Sequence, residues 1–77
     1  MKSEEWARRH IESRLKSARH RYRIAVEEVA RFARQAEQGD GSGWHNLAAT
    51  VALGDHARGE IEAYETALAA FAATGAP

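Results

Sequence analysis

Residues 11–36 read IESRLKSARHRYRIAVEEVARFARQA, and within them Ile11, Leu15, Ala18, Tyr22, Ala25, Val29, Phe32 and Ala36 recur at spacings of four and three. That is the apolar seam of a helix packing lengthwise against another helix. Val26 and Ala33 widen the seam by one column, while Arg9, Lys16 and Arg23 share a polar column away from it. No Pro or Gly occurs before Gly39. A first helix is therefore expected over about residues 3–38, with Ser3 as its N-cap, Glu4 and Glu5 where the helix dipole favours acids, and Gly39 as a left-handed stop. At about 1.5 Å per residue this rod is roughly 54 Å long.

Gly39-Asp40-Gly41-Ser42-Gly43 is the turn, with Ser42 placed to cap a second helix. A glycine-rich loop before a helix can cradle phosphate, but no strand precedes this one and no Lys-Ser/Thr pair comes after it, so it reads as a connector. The second helix is expected over about residues 44–74, closed by Gly75 and Pro77, with Leu47, Val51, Gly54, Ala57, Ile61, Tyr64, Leu68 and Phe71 on its seam. In that set the step from Gly54 to Ala57 breaks the heptad, and glycine costs about 1 kcal/mol in a helix interior, so a kink or break near Gly54 is the alternative to a continuous helix. Length favours continuity, because an unbroken second helix matches the first.

The fold class implied is all-α: one domain over residues 1–77, an antiparallel helical hairpin of two long helices. A chain of 77 residues buries too small a share of its surface to be robust alone, and a dimeric four-helix bundle is the expected remedy. Net charge is zero, yet residues 1–38 carry ten Lys/Arg against six Asp/Glu and residues 39–77 carry one against five, giving halves of +4 and −4. Folding back about Gly41 brings Arg19 and Arg21 alongside Glu60, Glu62 and Glu65, which selects the antiparallel register more than it stabilises it.

Ala49, Ala52, Ala63, Ala67 and Ala70 line up with Gly59 on another face of the second helix. A smooth stripe of this kind lets a neighbouring backbone approach closely, and a second copy of the hairpin, second helix against second helix, is its expected occupant. The stretch from Trp44 to Leu68 also resembles one tetratricopeptide repeat in Trp44, Asn46, Leu47, Gly54, Asp55, Ala63, Tyr64, Ala67 and Leu68, given a one-residue deletion before Gly54 and an insertion after it. No second copy is visible, such arrays need about three repeats, and no function is carried over.

Catalytic chemistry has little to stand on. The chain has no cysteine, which removes thiolate nucleophiles and cysteine metal sites. Of His10, His20, His45 and His56, only His56 has a ligand-like neighbour at helical spacing, Glu60, and two ligands do not make a zinc site. No enzyme activity, cofactor or metal is expected. No apolar run approaches the roughly 20 residues of a membrane span, and residues 1–10 lack the apolar core of a signal peptide, so a cytoplasmic protein without membrane contact is expected. What remains is binding. The expectation is a homodimer that modulates a protein partner as a regulator, adaptor or inhibitor, with Trp6 and Ile24 as contacts because the seam does not use them. Its architecture resembles that of compact helical modulators. The alternative is a nucleic-acid-binding hairpin whose column of Arg9, Lys16 and Arg23, spaced by about 10 Å, meets phosphates.

Overall fold

In a computed structural model that describes residues 2–75, with side chains over residues 4–74, the chain forms two helices, α1 (Lys2–Glu37) and α2 (Gly41–Gly75). They pack side by side as an antiparallel hairpin measuring 59 × 17 × 13 Å. Helix α1 begins one residue before the expected cap, so Ser3 lies inside the first turn instead of ahead of it. Pro77 falls outside the described residues.

The turn is tighter than the glycine run implied. Gly39 has φ +87°, and the amides of Gly39 and Asp40 donate to the carbonyls of Ala36 at 3.0 Å and Gln35 at 3.1 Å. This pair of bonds closes the carbonyl end of α1 around a left-handed glycine. Asp40, the next residue, caps α2: its Oδ1 accepts the Ser42 amide at 3.0 Å and the Ser42 hydroxyl at 2.6 Å, and its carbonyl accepts the Gly43 amide at 3.0 Å. The cap is therefore Asp40 and not Ser42, and Gly41, Ser42 and Gly43 belong to the helix and not to the turn.

Along α1 the eight seam residues behave as their spacing predicts, with Leu15, Ala18, Ala25 and Ala36 buried and the other four half-buried. Val26 and Ala33 are exposed and do not widen the seam. On α2 the buried position next to Leu47 is Thr50, and Val51 points outward. With Thr50 in place, Gly43, Leu47, Thr50, Gly54, Ala57, Ile61, Tyr64, Leu68 and Phe71 alternate by four and three without interruption. The expected heptad break disappears, and α2 runs unbroken through Gly54. Gly54 is buried against Ala25, where the two backbones come together. The Thr50 hydroxyl donates to the Asn46 carbonyl at 2.7 Å, which satisfies its one buried polar group.

Of Leu15, Val29, Ile61 and Leu68, the residues a two-helix seam should bury best, only Leu15 is buried and the other three are half-covered. The cause is geometric: each helix has a single neighbour, so a large side chain on the seam is covered on one flank and open on the other. Among the described residues no large side chain is completely buried.

Candidate interaction surface

The ion pairs that fix the register are those expected from the charge halves. Arg19 Nη2 donates to Glu65 Oε2 at 3.0 Å, and Arg21 Nη1 and Nη2 donate to Glu60 Oε1 and Oε2 at 2.7 and 3.3 Å. Glu62 takes no part among the described pairs. The Arg21 hydrogen bond holds the Glu60 carboxyl below the usual carboxylate range and raises Arg21 in turn. Tyr64 OH also donates to Glu60 Oε2 at 3.3 Å, and His56 Nε2 lies 3.3 Å from Oε1. Glu60 is thus already engaged by a guanidinium, a poor setting for a cation ligand. Among the described residues no three His, Asp or Glu side chains gather as a metal would require.

The Arg21–Glu60 pair stands at one end of a cleft between the helices. The cleft has a volume of about 390 Å³, its floor is Ala25, Thr50 and Ala57, and Ile24 and Leu53 form its two apolar walls. Leu53 is 66% exposed and Ile24 45%. The opposite side of the hairpin carries a shallower hollow of about 160 Å³ with Val26 and Val51 at its rim, and exposed Trp44 lies seven residues before Val51 on the same column. Residue types alone do not mark Leu53, Val51 and Trp44 as surface residues. The signal lies in the register: once Ala25 meets Gly54, Ile24 and Leu53 must flank the same side of the seam.

The two expected partner contacts do not converge. Trp6 is 68% exposed near the open end of the hairpin, its ring stacked on His10 with centroids 5.1 Å apart, and Arg14 Nε donates to His10 Nε2 at 2.9 Å. Ile24 lies eighteen residues further along α1, roughly 27 Å at the helical rise. The expected phosphate column is uneven: Arg9 is engaged by Glu5 at 2.6 Å, whereas Lys16 and Arg23 are exposed and have no ion-pair partner among the described residues. Of the small-residue stripe, Ala49, Ala52, Gly59, Ala63 and Ala70 are exposed, and Ala67 is half-covered beside the seam. No helix among the described residues is long and apolar enough to cross a membrane.

Comparison with protein-family models, curated proteins and solved structures finds no match for this chain.

Proposed function

We propose that this chain is a non-catalytic helical interaction protein of the cytoplasm, which pairs with a second copy as a four-helix bundle and binds another protein whose activity it modulates. The observation that carries this reading is the coexistence of a seam that completely buries no large side chain with Ile24, Leu53, Val26, Val51, Trp44 and Trp6 all on the surface. Apolar area held out of water by a partner is the main driving force available to so thin a fold. The Arg21 and Glu60 side chains near the cleft are occupied in a salt bridge that sets the register, and the cleft's two walls, Ile24 and Leu53, are apolar, which supports a binding role. The surface holds two separate patches, one for self-association and one, at Trp6 or on the Val26, Val51 and Trp44 side, for the regulated partner.

The second reading, nucleic-acid binding, draws its support from Lys16 and Arg23, two exposed cations seven residues apart. The deciding experiment immobilises the hairpin and captures partners from its host at physiological salt, with and without nuclease. Retention of a protein that survives nuclease and is lost in Trp6→Ala or Val51→Asp supports the first reading. Retention that vanishes with nuclease or falls steeply with salt supports the second.

A further inference from the structure

We propose that the cleft walled by Ile24 and Leu53 is the self-association face, and that the second copy lies on it with its turn at the same end. This rests on the dimeric reading of the hairpin and specifies its geometry.

The area argues for an occupant of this size. A compact monomer of 8.5 kDa exposes about 4,650 Å², whereas the hairpin exposes 5775 Å². The surplus is of the order of the roughly 800 Å² that each partner contributes to a standard interface. The cleft side also offers a continuous surface. Ala49, Ala63 and Ala70 fall at multiples of seven from His56, which lines the cleft, and Ala67 falls fourteen after Leu53. Small side chains along that side let another helix approach at the short end of the 8 to 10 Å range, while Ile24 and Leu53 supply the bulk. Ala52 and Gly59, the other members of the stripe, belong to the column turned away from α1 and remain outside this face.

Charge selects the orientation. A face-to-face pair can have its twofold axis across the hairpin or along it. An axis across it stacks α1 on α1 and α2 on α2, bringing like halves together, and near the mid-height sets Arg21 toward Arg21 and Glu60 toward Glu60. An axis along it sets α1 of one copy over α2 of the other at equal height, the +4 half over the −4 half. The Arg21–Glu60 pair, 2.7 Å apart within each copy, then meets its inverse, so that each guanidinium has a carboxylate on two sides. At the same height Ile24 of each copy stands against Leu53 of the other, closing both clefts. Every neighbouring pair of helices in this bundle is antiparallel.

The absence of cysteine makes the test clean. Light scattering and sedimentation compare the native chain with Leu53→Glu and Ala52→Glu, and a spin label on Ser42→Cys reports the separation of the two turns. Leu53→Glu is expected to weaken dimerisation by about thirtyfold or more, as at a central interface anchor, and Ala52→Glu to leave it within about threefold, as at a non-interface surface site. The labels are expected within about 30 Å of each other, given interaxial spacings near 10 Å. A native monomer at tens of micromolar overturns the dimeric reading itself. A native dimer that tolerates Leu53→Glu while losing association in Ala52→Glu overturns the face. A label separation near the 59 Å length of the hairpin overturns the orientation. Should Leu53→Glu lose helicity too, Ala49→Glu, at an exposed alanine on the same side, takes its place: association that survives it overturns the face.

Discussion

Gly43 lies so close to Ala36 that a methyl group in place of its hydrogen would sit 2.7 Å from the Ala36 backbone nitrogen and 3.1 Å from its Cα. Neither contact is with a side chain that can rotate away. The close approach is a product of the short turn, since Asp40 starts α2 while Gln35 and Ala36 are still closing α1. Gly43→Ala is therefore expected to destabilise the hairpin by about 1–3 kcal/mol despite alanine's better helix propensity. Gly54→Ala should behave oppositely. Its added Cβ would meet the Ala25 Cβ at 3.5 Å, an ordinary contact, so the helix propensity gain of up to about 1 kcal/mol is expected to survive. Urea midpoints of the two variants check the pair. Loss of stability in Gly54→Ala would mean that the helices approach more closely there than an ordinary 3.5 Å contact.

The seam makes a graded prediction about truncation. Leu15 is buried, so Leu15→Ala is expected to cost about 2–5 kcal/mol, a large share of what a fold this small possesses. Ile61 is half-exposed, and Ile61→Ala should cost roughly half as much. Equal costs, measured by chemical unfolding, would show that Ile61 is covered by something outside the hairpin.

Much of this fold could be read from residue types. The α1 seam, the left-handed Gly39 and the meeting of Arg19 and Arg21 with the acids of α2 follow from spacing and charge, whereas the individual pairs, Arg19 with Glu65 and Arg21 with Glu60 to the exclusion of Glu62, do not. What could not be read that way depends on where a backbone points. Val51 outranks Thr50 in apolarity, yet the helix places position 50 inward, and a threonine is tolerated there because its hydroxyl reaches the Asn46 carbonyl. Asp40 and Ser42 are both good caps by composition. The capping role goes to Asp40 because the closing bonds of α1 end on its amide, leaving its side chain over the first turn of α2. The cleft was hidden for a different reason: Ile24 stands out as an apolar residue off the seam, but Leu53 looks ordinary until the register brings the two together.

The two binding readings separate on the basic column. Arg9, Lys16 and Arg23 are all exposed, and Arg9 alone is engaged, by Glu5 within its own helix. Changing all three to glutamine is expected to leave the far-ultraviolet dichroism and the urea midpoint nearly unchanged, since exposed charges contribute little stability. If the chain binds protein, partner capture should persist in this variant and fail in Trp6→Ala or Val51→Asp. Loss of the biological effect in the triple glutamine variant alone would reverse the order of the readings.

Acid stability tests the turn and the cross-helix pair together. The Ser42 hydroxyl, and secondarily its amide, hold the Asp40 carboxyl below its ordinary range, and the Arg21 hydrogen bond does the same for Glu60. Both groups ionise more readily folded than unfolded. As pH falls through the usual carboxylate range the unfolded chain takes up their protons first, so stability is full above that range and declines down to the folded values. Asp40→Asn keeps an oxygen acceptor for the Ser42 amide, because asparagine caps about as well as aspartate, but removes the titration. Its midpoint at neutral pH should stay near the native one while the acid decline becomes shallower. Glu60→Gln should also flatten the decline, but with a lower starting stability, since Arg21 loses its charged acceptor. Thermal unfolding between pH 7 and pH 3, each variant against the native chain, gives the comparison. An acid limb of unchanged slope in both variants would show that neither carboxylate is held down by the contacts assigned to it.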